Sequence, residues 1–183
     1  MKVIPDSSFF ICFADDLEGH LPVSDRIRVL ATITGKFNFL VVSAVEQESG
    51  LQRLPSQIRD KLELVKIPAT GTQKDPSIEL LRPLLGMGEH EVITCAQIHL
   101  QKGDAGFIFI LDDGVARNLV KRILPVLVGH MKGTVGFLGY CAIQKVLDKN
   151  GTIHLLTLIG KTKFRVDRVT ISTVITEIHQ RCV

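Results

Sequence analysis

The stretch Phe107-Ile108-Phe109-Ile110-Leu111-Asp112-Asp113-Gly114-Val115-Ala116-Arg117 decides the fold. A short apolar run rich in Ile and Phe reads as a strand buried on both faces, as strands of a parallel sheet are. It ends abruptly in two adjacent carboxylates, Asp112 and Asp113. Acids at that point stand at the mouth of a sheet, where open α/β sheets place their ligand crevice. Two like charges at the edge of a dry core repel each other unless a cation or a proton sits between them.

The same pattern recurs elsewhere in the chain. Lys2–Pro5 reads as a strand that meets Asp6, followed by Ser7 and Ser8. Asp6 or a serine then caps a helix beginning in Phe9–Ala14. Residues 26–31 continue a helix that ends near Gly35, and Phe37–Val42 is the second strand. It runs into Ser43, a good N-cap, with Glu46 three residues on completing a capping box. Glu48 follows, as a surface glutamate or as a carboxylate looking back toward the strand end. Glu63–Ile67 alternates as a third strand, stopped by Pro68 and followed by a polar loop over 69–76.

Gly86-Met87-Gly88 gives a tight entry to a helix over Glu89–Leu100. Glu89 and Glu91 fall in its first turn, where the helix dipole favours acids by about 0.3–1 kcal/mol. Acids two apart on a helix point different ways, so at most one of them faces a shared site. After the opening strand, Gly114–Ile123 is helical and carries Arg117, Lys121 and Arg122. Pro125–Val128 reads as another short strand, Thr134–Leu147 as a helix, and Asn150-Gly151 as a turn. Thr152–Ile159 and Arg168–Ile178 read as terminal helices joined by the basic Gly160–Arg165 connection, GKTKFR.

Strands alternating with helices imply right-handed crossovers and a parallel sheet. The fold class is therefore α/β, and 183 residues suffice for one domain with a real core. There is no Trp and one Tyr against nine Phe, so aliphatic side chains should dominate that core. A net charge of +3 permits a polyanionic partner without demanding one. The four cysteines form no CxxC and no Cys/His cluster, which argues against a zinc site. No basic leader precedes an apolar segment and no apolar run approaches the ~18 residues that span a bilayer, so a cytoplasmic protein is expected. Asp6, Glu48, Glu89 or Glu91, and Asp112/Asp113 all follow strands or open the next helix. At least four carboxylates on one rim of a basic protein is the composition of a hard-cation site, suited to Mg2+ or Mn2+.

VIPDSS (3–8), VEQE (45–48), GMGEHEVITCA (86–96), FILDDGVAR (109–117) and GHMKGTVGFL (129–138), in that order, resemble a PIN-domain protein. More narrowly they are similar to the prokaryotic group in which a GxGExE helix precedes a strand ending in DD with an Ala-Arg pair. The resemblance covers about residues 1–150, and 151–183 looks like that group's C-terminal helices, packed on the same domain. It implies a three-layer α/β/α sandwich around about four or five parallel strands. It also implies a metal-dependent endoribonuclease acting on single-stranded RNA, as in the toxins of toxin–antitoxin pairs, with an antitoxin protein and a second copy as partners. Carried over by motif, the catalytic acids are Asp6, Glu48, Glu91 and Asp113, with Glu89 and Asp112 as further metal ligands and Ser8 in support. Glu46 competes with Glu48. The third station is often Asp and here can only be Glu, and Pro5 stands where Val or Leu is common.

On that reading water attacks a phosphodiester in line, and one or two Mg2+ or Mn2+ ions lower its pKa and neutralise phosphate charge. Glu48 or Glu91 serves as general base. Asp113 is the expected direct ligand, with Asp112 as a cap or outer partner. Arg117, Lys121 and Arg122, and the GKTKFR connection, are candidate RNA contacts that otherwise read as solvated charge. The competing class is a catalytically inactive PIN-fold module that binds nucleic acid or protein. A receiver domain needs a phospho-acceptor Asp after ELVKIP, and a dinucleotide binder needs GxGxxG where PDSSFF stands; neither is present.

Overall fold

The computed structural model describes residues 1–67 and 76–182. Pro68 and most of the loop expected over 69–76 lie outside the described residues.

Five strands form one all-parallel sheet with helices on both faces, a three-layer α/β/α sandwich. They are β1 (Lys2–Ile4), β2 (Asn38–Val42), β3 (Leu62–Val65), β4 (Phe107–Ile110) and β5 (Met131–Lys132), in the order β3-β2-β1-β4-β5. All four residues of β4 are buried, as an apolar run without alternation requires when both faces are covered. The strand order reverses between β1 and β4, where Val3 pairs with Ile108 and Ile4 with Phe109. Helices leave in opposite directions at such a point and open a crevice beyond the strand ends.

β1 runs into helix α1 (Ser7–Ile11), capped by Asp6 and continued by a π-helical turn at Cys12–Asp16. Phe9 and Phe10 of α1 are fully buried. The Phe9 ring meets Phe13, Phe39 and Phe137 at centroid distances of 5.5, 5.6 and 6.0 Å. This aromatic cluster fixes the backbone immediately after Asp6. Helix α2 (Val23–Lys36) returns the chain to β2, and α3 (Ser43–Glu48) leaves β2 at its C-terminal end. Short helices α4 (Ser56–Arg59) and α5 (Pro76–Leu81) flank β3 and lead to α6 (Met87–Gln101). Helix α7 (Gly114–Ile123) follows β4, and α8 (Thr134–Ile143), α9 (Lys149–Ile159) and α10 (Arg168–Arg181) complete the chain.

Three local expectations are corrected. Pro125–Val128 is not a strand: Pro125 opens a 3-10 turn over Pro125–His130, and the fifth strand comes after it. Pro suits the first position of such a turn, and Val126 stands 63% exposed, which no buried strand would leave it. The helix expected over Thr134–Leu147 ends at Ile143, because Lys145 adopts a left-handed φ of 57°. Asn150-Gly151 is not a turn but the first turn of α9. There the Asp148 carboxylate accepts the Gly151 N–H at 2.7 Å and starts the helix. The boundary drawn at residue 150 therefore falls inside α9. Helix α10 packs on α8 where Gly139 lets Val174 and Ile178 approach its backbone.

Candidate functional site

Asp6 is buried at the C-terminal end of β1. One carboxylate oxygen accepts the Phe9 N–H at 3.1 Å, and the other accepts the Asp112 N–H at 2.8 Å. The register explains the second bond: two steps past the Ile4–Phe109 pair, Asp6 stands beside Leu111 and reaches the next backbone N–H. Asp112 is held in turn by Thr134, which donates its N–H (2.8 Å) and its hydroxyl (2.5 Å) to the two Asp112 oxygens. Gly133 makes this contact possible, since a Cβ there would stand 2.9 Å from Asp112 Oδ1. Arg117 donates to the Leu111 carbonyl at 2.9 Å and draws the Asp112 carboxyl down.

The electrostatic balance at this pair is unfavourable. Burial, then the charge of Asp112, push Asp6 up from 3.8 to about 8, with Glu89 adding to the effect. Burial also raises Asp112, against the pull of Thr134 and Arg117. At neutral pH the Asp6 carboxyl therefore holds its proton, although it accepts the Phe9 and Asp112 N–H groups. That proton is what a divalent cation would displace.

The other expected acids divide. Glu89 lies beside the pair and lines a cleft of about 320 Å3 together with Ser8, Asp16, Asp112 and Asp113. Asp113 is exposed and caps α7, accepting the Ala116 N–H at 2.7 Å. The cap, expected of Asp112, is made by Asp113, the expected direct ligand, and it is Asp112 whose backbone N–H meets Asp6. Glu48 and Glu91 do not join the pair. Glu91 accepts the Ala44 N–H at 2.8 Å in the first turn of α3, and Glu48 accepts the Gly88 N–H at 3.2 Å in the first turn of α6. Each helix thus ends on the other's glutamate. Ser43 forms no side-chain cap, and the expected capping box with Glu46 is absent, because α3 starts one residue earlier, with Val42 in the cap position and Ser43 already inside the first turn. The GMG entry has its own account. Gly86 leaves room for the Glu89 carboxylate, and a Cβ on Gly88 would stand 2.5 Å from Glu48 Oε2.

Of the expected RNA contacts, Arg117 lies at the site, whereas Lys121 and Arg122 are exposed in the last turn of α7. At 1.5 Å per residue they stand roughly 10 Å along the axis from its start. The basic connection 161–165 instead reaches the cleft through Lys163, Phe164 and Arg165.

Among the described residues, no three His, Cys, Asp or Glu side chains converge as a ready metal cage. The donor set nevertheless fits Mg2+ or Mn2+, which bind through one or two carboxylates and complete their shells with water and substrate phosphate. Asp6 and Asp112 each retain lone pairs beyond the hydrogen bonds named above. Asp6 and Asp112 would hold the ion, with Glu89 positioned to reach it through water. No helix among the described residues is long and apolar enough to cross a membrane. The chain matches no family model, no curated protein and no solved structure.

Proposed function

We propose that this chain is a PIN-like, Mg2+- or Mn2+-dependent endoribonuclease acting on single-stranded RNA. The observation that carries the reading is the Asp6–Asp112 pair at the point where the strand order reverses, with Asp6 pushed up to about 8. A fold that wanted only stability would not place an acid there whose neighbour's charge and own burial both oppose its ionisation. A bound divalent ion supplies charge neutralisation and Lewis acidity at a phosphate. The chain's own residues do the rest. Thr134 and the Asp112 N–H fix the two carboxylates, and Arg117, tied to the Leu111 carbonyl beside Asp112, would meet a phosphate there. Glu89 stands ready to orient water or to take its proton. A role as a toxin, with an antitoxin protein and a second copy as partners, extends the same reading by analogy.

Glu48 and Glu91 leave this proposal as structural tethers rather than catalytic acids. Their engagement favours the second reading, a PIN-like fold that binds nucleic acid without cutting it, because the site then has two strong ligands instead of four. Calorimetric titration with Mn2+ and cleavage of a mixed single-stranded RNA separate the two. The nuclease reading expects binding and cleavage by the wild type, and loss of both in Asp6→Asn and Asp112→Asn. Metal binding without any cleavage would leave the binding module standing.

A further inference from the structure

Lys163 and Arg165 line the same cleft as Ser8, Glu89 and Asp112, although about 50 residues separate them from β4. Their connection is built rather than loose. The Thr162 hydroxyl donates to the Ile159 carbonyl (2.8 Å) and accepts the Phe164 N–H (3.1 Å), and Val166 N–H donates to the Phe164 carbonyl (2.9 Å). Asp167 then caps α10, accepting the Thr170 N–H at 2.7 Å. Phe164 is half-buried against the core, while the cations on either side of it are exposed.

These cations are not counter-ions of the acid pair. The charges acting on Asp6 and Asp112 are those of each other's neighbourhood, Glu89 and Arg117, and neither loop cation is among them. Lys163 draws down Asp16, at the cleft wall, against burial and Asp15. Neither Lys163 nor Arg165 forms an ion pair with another described residue. Two exposed cations without ion-pair partners among the described residues, on a pinned loop that borders the acid cleft, suit a polyanion that runs past the acids. The Arg fork adds bidentate phosphate geometry.

We infer that Lys163 and Arg165, and not Lys121 and Arg122, grip the backbone phosphates of a single-stranded RNA on the outer side of the acid cleft. This rests on the nuclease reading for its ligand class, but its test does not depend on cleavage. A fluorescent, mixed-sequence single-stranded RNA is titrated in EDTA, with anisotropy as the readout. The proteins are the wild type, Lys163→Gln/Arg165→Gln and Lys121→Gln/Arg122→Gln. All four side chains are exposed, so both variants fold. The loop variant should bind roughly tenfold or more weakly. Its plot of log affinity against log salt should flatten by about 1.4, two single-strand phosphate contacts' worth. The α7 variant should match the wild type. Equal binding by the loop variant and the wild type, an unchanged salt slope, or a wild type that binds no RNA would each overturn the inference. Loop-dependent binding with no cleavage after Mg2+ or Mn2+ is added keeps this inference and sinks the nuclease. Metal-dependent cleavage with loop-independent affinity does the reverse.

Discussion

Two pairs of acids stand on the same rim of the sheet and behave as opposites. Glu48 and Glu91 lie on different helices, and each satisfies an open N–H of the other's first turn. Their charges are spent on helix dipoles, and the pair ties α3 to α6. Asp6 and Asp112 also accept backbone N–H groups, yet burial and the charge of Asp112 let Asp6 keep its proton to about pH 8. The comparison teaches that a carboxylate at a strand end is not by itself a ligand. What sets Asp6 and Asp112 apart is burial and a neighbouring like charge that the local hydrogen bonds do not offset at Asp6.

Substitution should separate the pairs, most strongly through activity. Asp6→Asn or Asp112→Asn should lower Mn2+ affinity and any RNA cleavage by more than the ~10–100-fold typical of disturbing an outer partner of a metal site. Glu91→Gln should cost far less, since an amide oxygen can still accept the Ala44 N–H. Equal losses on assaying all three would collapse the distinction.

Stability should move the other way. Glu91→Ala removes a charge-assisted cap and should cost about 1–2 kcal/mol. That corresponds to roughly 2–8 °C in Tm by calorimetry, at about 2–4 °C per kcal/mol for a chain of this size. Asp112→Asn, with its amide still able to pair with Thr134, should instead stabilise the metal-free protein at pH 8 by about 1 kcal/mol. A fall in Tm for that variant would show that the repulsion is illusory.

The pH dependence follows with its sign. The unfolded chain holds the Asp6 proton with the ordinary value of 3.8, and the folded chain holds it to about 8. That group therefore favours folding fully below about pH 4, and the contribution is lost as pH rises toward 8. Denaturant titrations of metal-free protein should show declining stability across that window, with Mn2+ restoring it at the upper end. The smallest effect belongs to Lys121→Gln/Arg122→Gln, which should leave stability within about 0.5 kcal/mol.

The comparison also shows what the chain's own residues made legible. The strand FIFIL and the acids closing it could be read directly, because a buried parallel strand has no alternation to hide. So could Asp6 as a helix cap, and the α/β alternation. What could not be read depends on partners distant in sequence. Ser43 with Glu46 is a good local capping box, but α3 starts at Ser43 itself, and the Ala44 N–H is met by Glu91 from 47 residues away. Asp112 and Asp113 are adjacent and chemically alike; which one turns inward is decided by Thr134 and Gly133, on the far side of β5. The GKTKFR connection reads as a candidate RNA contact no better than Lys121 and Arg122, and only the return of the chain between α9 and α10 puts Lys163 and Arg165 at the cleft. The Pro125–Val128 error had a local remedy, since Pro at the head of a short apolar run favours a turn.

We propose that Asp6 and Asp112 form a cation site at which the bound ion displaces the Asp6 proton. Calorimetric titration of Mn2+ at pH 7, in two buffers of different ionisation enthalpy, counts the protons released on binding. The account predicts about one proton per bound ion for the wild type and close to none for Asp6→Asn. Binding without proton release, or no binding by the wild type, would contradict it.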